Sequence, residues 1–238
     1  NIKHVTTYAR ADSIARKSVS ELRELKTAGI EHLYCGMETG SDLILRKINK
    51  GFDAATIIIS GTKAKEAGMV LSEFTLFGIG GKELAEENAV ETAKVLNVIK
   101  PDFVRVHATG IKLSSEMWNY VKNKELTLQS EEEIVSEQKI MLELLADDMD
   151  CIYMNEHIVN LLLEVRGNIR TDKQNMLETI NTYLQLPKQE QELFNLGRRL
   201  NIMFFLADLN NRAKRKQTEE GLRKIKTQNP DLDLAFVC

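Results

Sequence analysis

Leu25-Lys26-Thr27-Ala28-Gly29-Ile30 recurs 39 residues later as Ala64-Lys65-Glu66-Ala67-Gly68-Met69. Both stretches end a helical run at Ala-Gly and pass straight into an apolar one. Glycine just past the last helical residue takes the left-handed conformation that closes a helix. A chain that repeats helix, glycine stop and strand builds βα units, and these assemble into a parallel sheet. Right-handed crossovers then give a barrel or an open doubly wound sheet, and the pattern leaves both open.

The neighbouring segments extend the pattern. Ile2 to Tyr8 is β-branched and aromatic and reads as a first strand. Ser18-Val19-Ser20-Glu21 has capping-box spacing and opens a helix that Gly29 stops. Ile30 to Met37 forms the second strand, with helices over 41–49 and 53–67 behind it. Val70 to Phe77 is the third strand, 82–99 a long helix, and Asp102 to Ala108 the fourth strand. Ten of the 13 glycines fall in residues 1–110, so long helices are expected beyond. Ser130-Glu131-Glu132-Glu133 caps one of them. The reading is therefore an α/β domain of about four parallel strands over 1–115, then an all-helical region over 116–238. Cys151 falls in that helical region, and His157 reads as a helix-end feature.

Composition narrows the function classes. With 43% hydrophobic residues in 238, the chain can bury a core without crosslinks. A net charge of -3 gives no global case for nucleic acid or an anionic membrane. No apolar run approaches the roughly 18 residues of a membrane span. Cys35, Cys151 and Cys238 are odd in number and far apart, which excludes a disulfide scaffold and a local zinc knuckle. A cytoplasmic setting is the expectation. Residues 131–150 carry a net charge of -7 and residues 212–226 one of +5. They read as two solvated helix faces that attract one another. A nucleic-acid-gripping tail would want interleaved aromatics, which the basic stretch lacks.

In parallel α/β sheets the ligand lies beyond the carboxyl ends of the strands. The exits here are Tyr8-Ala9-Arg10-Ala11-Asp12, Gly36-Met37-Glu38-Thr39-Gly40-Ser41, Phe77-Gly78-Ile79-Gly80-Gly81-Lys82 and His107-Ala108-Thr109-Gly110. Such a rim suits a polar small molecule with a charged end. Each residue also has a purely structural use: Glu38 at a helix N-terminus, Ser41 as an N-cap, Arg10 as the partner of Glu38, His107 as a satisfied rim histidine. The Gly78–Gly81 turn matches neither a dinucleotide nor a Walker pattern. No nucleophile–histidine–acid set or metal spacing stands out.

Taken in order, these stretches resemble the radical S-adenosylmethionine (SAM) enzymes from their third strand onward. Tyr8-Ala9-Arg10-Ala11-Asp12 and Gly36-Met37-Glu38-Thr39-Gly40-Ser41 carry the likeness, with Thr39 where the usual motif has serine. Ile48-Asn49-Lys50-Gly51, Phe77-Gly78-Ile79-Gly80-Gly81-Lys82-Glu83 and Pro101-Asp102-Phe103-Val104 continue it. The likeness is nearest to the proteins described as Fe–S oxidoreductases, in the larger group with tRNA methylthiotransferases and the elongator catalytic subunit. It implies half of a (β/α)6 barrel with SAM across the strand ends. Glu38 would bind the SAM ribose or amino end, with Thr39 and Ser41 nearby. Lys50 would take its carboxylate, and the backbone of Gly78, Gly80 and Gly81 would approach the adenine. Arg10, Arg105 and His107 would line the interior.

The family's [4Fe–4S] cluster reduces SAM to a 5′-deoxyadenosyl radical and is held by CxxxCxxC at the first strand exit. That motif is absent here, as are the family's first two strands. The chain is accordingly expected to be the C-terminal portion of a longer enzyme, inactive in SAM cleavage alone, with no metal ligands of its own. The exposed first strand, 2–8, is expected to be covered by another chain segment or by self-association. The competing readings are a non-redox SAM- or nucleotide-binding module and an interaction or RNA-binding scaffold acting through the basic tail.

Overall fold

A computed structural model describes residues 5–228. The two glycine stops sit where the sequence places them. Gly29 has φ 104° and Gly68 φ 74°. Around Gly68, its own N–H donates to Lys65 O at 2.9 Å and Met69 N–H to Ala64 O at 3.0 Å. These paired bonds close the helix and turn the chain directly into a strand.

The elements follow as β1 (Val5–Ala9), α1 (Ala11–Ala15), α2 (Val19–Thr27), β2 (Ile30–Glu38), α3 (Asp42–Lys47), α4 (Ala54–Glu66), β3 (Val70–Phe77), α5 (Ala85–Ile99) and β4 (Phe103–Ala108). After these come α6 (Met117–Lys122), α7 (Glu131–Leu144), β5 (Ile152–Met154), β6 (Gly167–Asn168), α8 (Ile169–Leu184), α9 (Lys188–Arg199) and α10 (Arg212–Gln228). Both capping boxes form: Ser18 with Glu21 and Ser130 with Glu133. The expected helix over 82–99 begins with a 3-10 turn, Lys82–Leu84, and becomes α-helical at Ala85.

Strand order decides between barrel and doubly wound sheet. The six strands lie in the sheet in chain order, β1 to β5 parallel and β6 antiparallel. A doubly wound sheet reverses its order at a switch point. Here every connection moves to the adjacent position, an arrangement compatible with a partial barrel. One sheet face is sealed by helices: Leu33, Cys35, Met37, Leu71, Val104 and Val106 are buried there with Ile57, Ala64 and Leu96. Each such Leu or Ile stabilises the fold by about 1.5–3 kcal/mol.

The region beyond residue 115 is not all helical. Ile152–Met154 pairs with Phe103, Val104 and Arg105 of β4, and Gly167 and Asn168 pair in turn with β5. The run is too short to show a period, so its pattern did not separate strand from helix. Cys151 therefore enters a strand, and His157 lies in the loop after it. The ion pairs seen among the described residues take the basic and acidic helices to other partners. Arg215 pairs with Glu190 and Glu219, and Lys214 with Asp208. The acids of α7 pair instead with Lys82, Lys188 and Arg199. β1 forms one edge of the sheet, with Val5 and Tyr8 exposed. Residues 2–4 of the expected strand and Cys238 lie outside the described residues.

Glu73 breaks the apolar pattern of the covered face. It is fully buried opposite Cys35, and neither carboxyl oxygen makes a hydrogen bond. The Cys35 thiol and Met37 backbone lie close without bonding geometry. Burial first, and then the Glu38 charge, pushes its carboxyl well above the ordinary value of 4.5. A raised carboxyl is neutral in the fold but ionises in the unfolded chain, so stability falls as pH climbs above that ordinary value. Glu73→Met, which conserves volume and removes the orphaned oxygens, should stabilise the chain by about 1–3 kcal/mol at pH 8. The gain should shrink at pH 5, as read from urea midpoints.

Candidate functional site

The exit of β2 is built by a bulge. Gly36 lies opposite Phe74 and Glu38 opposite Thr75, which leaves Met37 as the extra residue. Glu38 itself takes a left-handed φ of 63°. For a residue with a Cβ this conformation costs roughly 1–2 kcal/mol. A bulge at a strand end re-aims a side chain, and here it folds the carboxylate back over Gly36. A Cβ at position 36 would stand 2.5 Å from Glu38 Oε1 and 3.5 Å from Lys50 Nζ. A side chain there would displace the flexible end of Glu38, so glycine leaves room for the carboxylate to fold back.

Lys50 reaches the same spot from the end of α3. Asn49 is left-handed at φ 52°, and Lys50 N–H donates to Leu45 O at 2.9 Å. Its ammonium then pairs with Glu38 Oε1 at 2.7 Å, both side chains about four-fifths buried. Arg10, at the exit of β1, does not neutralise Glu38. Its Nε pairs with Asp12 at 3.0 Å and its Nη2 donates to Lys50 O at 3.0 Å. Both cations lie over the Phe52 ring, Arg10 at 5.2 Å and Lys50 at 5.5 Å. Two ion pairs, Glu38–Lys50 and Asp12–Arg10, thus meet beside one aromatic ring, offering both signs of charge to a zwitterion.

Thr39 and Ser41 lie beneath that surface, both fully buried. Thr39 Oγ1 accepts from Ser41 N at 3.0 Å. Ser41 caps α3 through Ile44 N–H and donates to Glu87 at 2.5 Å. Gly40 N–H donates to Thr92 Oγ1 at 2.9 Å, and a Cβ there would overlap the Glu91 carbonyl. The rest of the motif after Glu38 thus anchors the exit to α5.

At the β3 exit, the Gly78 N–H donates to Glu137 Oε2 at 3.0 Å. The carboxylate also accepts from Asn88 at 2.6 Å and Gln129 at 2.9 Å. Burial pushes Glu137 up to about 7, against the pull of those three donors. Gly80 packs on Ile44 and Leu84, and Gly81 (φ 65°) on Glu83 and Leu126. A cavity of about 170 Å³ opens between Gly78, Thr109, Ile111, Leu128, Gln129 and Ile134. Sequence reasoning passed over Glu137 and Gln129. The signal was there: Glu137 falls at helical spacing between Ile134 and Met141, on the core-facing side of α7.

The sheet face opposite the helices is lined by aromatics. Tyr8 meets Tyr34 edge-on at 5.4 Å, and Tyr34 meets Phe74 at 5.6 Å. His32 stacks on Phe103 at 5.6 Å and bonds Ser72 Oγ at 2.9 Å. Arg105 stands among Tyr34, Phe74 and Phe103. His107 stacks on His157 at 4.1 Å, a contact invisible in the sequence because 50 residues separate the two. Burial, then His157, then Arg105 lower His107 below its ordinary value. The structure therefore groups Arg10, Glu38 and Lys50 at one exit, Gly78, Gly80 and Gly81 at another, and Arg105 with His107 on the open face.

The donor set does not fit an iron–sulfur cluster. Among the described residues no group of three or more His, Cys, Asp or Glu side chains could hold a metal. Cys35 and Cys151 are both buried, and burial raises both thiols, that of Cys151 to about 12, away from the thiolate a cluster requires. The Arg10–Glu38–Lys50 group does match the charges of SAM's amino-acid end.

The fold has a counterpart among solved structures. The archaeal Methanocaldococcus infernus Elp3 with an N-terminal deletion is similar at a TM-score of 0.51 and 17% identity, over 60% of this chain and 33% of that one. The likeness is one of fold alone. The chain spans about a third of the length of that relative. No family model and no curated protein matches the sequence. The strained bulge yields a direct check. Glu38→Gly should be more stable than Glu38→Ala by about 1 kcal/mol in urea denaturation, since both lose the ion pair and only glycine relieves the left-handed φ.

Proposed function

We propose that this chain is part of a radical SAM-type enzyme and holds the amino-acid end of SAM at the exits of β1 and β2. The carrying observation is the Glu38–Lys50 pair, held beside Arg10 and Phe52 on a strained bulge. SAM presents an ammonium and a carboxylate on one carbon. Binding would exchange one ion pair for two: ammonium on Glu38, carboxylate on Lys50 with Arg10 close by. No charge is left unpaired in the exchange, so the partly buried site is not penalised as it would be for a singly charged ligand. The apo pair also keeps the two side chains preorganised. The cluster that reduces SAM in such enzymes finds no ligands in residues 5–228, and no step is assigned to it here.

Calorimetric titration of SAM into the chain tests this. Binding should be measurable and should weaken at least about tenfold in Glu38→Gln and in Lys50→Met, the usual scale for one charged partner of a pair. Adenosine should be insensitive to either change. SAM affinity unchanged in both variants would sink the proposal. A second reading, a SAM- or nucleotide-binding module without redox chemistry, draws on the buried Cys35 and Cys151. Reconstitution of the full gene product with iron and sulfide separates the two, since only the enzyme should develop the visible absorption of a [4Fe–4S] cluster.

A further inference from the structure

The centre of the open sheet face holds a cation, Arg105, with no anion against it among the described residues. Arg105 makes one side-chain hydrogen bond, Nη2 to the Tyr34 hydroxyl at 3.2 Å, and no ion pair among the described residues. Its Nε is sealed from solvent with no partner. Asp102, at the head of the same strand, is engaged by Lys65 at 2.7 Å and Leu71 N–H at 2.9 Å. The other polar side chains against this strand are the Tyr34 phenol and the imidazoles of His32, His107 and His157, and none of them is a carboxylate. A guanidinium carries five donors in a planar fork matched to oxyanions, and leaving it half-used in a sheltered site is costly.

The surroundings specify what else the ligand should carry. Tyr34 lies 5.0 Å from the guanidinium carbon, and Phe74 and Phe103 lie 5.9 Å from it. Tyr8 extends this array to the sheet edge and is 78% exposed. Ring faces offset by 5–6 Å, with a cation among them, present both stacking area and a fixed positive centre. A covering peptide or a second copy would have to bring a carboxylate to this point. A flat anionic molecule meets the same demand with fewer ordered bonds.

We propose that the open face binds a planar ring bearing an oxyanion, a carboxylate or a phosphate, with the oxyanion on Arg105 and the ring against Tyr34, Phe74 and Tyr8. This deepens the proposed function, in which the ligand would be the substrate, but the binding itself stands on Arg105 and does not need SAM. The test titrates the chain with adenosine 5′-monophosphate, adenosine and inorganic phosphate, and in parallel with 4-hydroxybenzoate, phenol and acetate. The expected result is that at least one ring anion binds, with its neutral ring and its bare anion each about tenfold weaker or more. Preference for the nucleotide identifies phosphate as the source, and preference for the benzoate identifies carboxylate. Arg105→Gln should abolish the advantage of the charged member, and Arg105→Lys, which keeps charge but loses the fork, should retain part of it. Glu38→Gln should leave this binding unchanged, which separates it from occupancy of the SAM site. Circular dichroism and the urea midpoint confirm that each variant is folded. The proposal is overturned if neutral and charged probes bind alike, or if Arg105→Gln binds as tightly as the parent. It is equally overturned if the face proves closed by a dimer that Arg105→Gln dissociates.

Discussion

The contact between Gly40 and the backbone of α5 governs the candidate site. Gly40 N–H meets Thr92 Oγ1 with no space for a side chain, so the chain leaving β2 is held against α5 by main-chain approach. That approach fixes where α3 begins, with Ser41 capping it and bonding Glu87. Just before it, β2 ends on the bulge at Met37 and the left-handed Glu38. The carboxylate is aimed along the sheet, where the end of α3 returns Lys50 to meet it. A motif that looks like a row of ligand contacts is divided by function: Glu38 faces outward, and Thr39, Gly40 and Ser41 hold it there.

Two carboxyls show how burial and hydrogen bonding divide the same chemistry. Glu137 and Glu73 are both sealed from water, and both have raised pKa values for that reason. Glu137 gathers three donors and ties α7 to the β3 exit, so it organises the glycine turn. Glu73 gathers none and serves no visible structural end. A buried polar group without partners is destabilising unless something else requires it. Its closeness to Glu38 and Lys50 links this cost to the site.

The helical stops at Gly29 and Gly68, both capping boxes and the first four strands were legible because each is written locally. A cap needs residues three apart, and a strand needs five or six in a row. β5 was not legible, since Ile152–Met154 is three residues long and becomes a strand only by pairing with β4. Arg10 was readable as a partner of Glu38 or of a ligand. Its pair with Asp12 is local, but its bond to Lys50 O depends on α3 folding back, which no local pattern encodes. Glu137 was marked by its helical spacing to Ile134 and Met141, but its three donors come from the turn after β3, α5 and the loop before α7.

Periodicity and glycine placement are enough to specify a parallel α/β chain and to put the chemistry at the strand exits, because turn conformation and backbone hydrogen bonding are properties of neighbours. Whether the sheet curls as a barrel depends on strand order, which only the packing of helices on one face decides. The same holds for charge. The sequence shows Glu38, Lys50, Arg10 and Arg105 as four ionisable residues of equal standing. Tertiary structure pairs the first two, sets Arg10 on the Lys50 carbonyl, and leaves Arg105 among rings with no ion pair among the described residues. Polar contacts act over a few ångströms in space, and the ones that separate these residues span 12, 40 and 71 positions of chain.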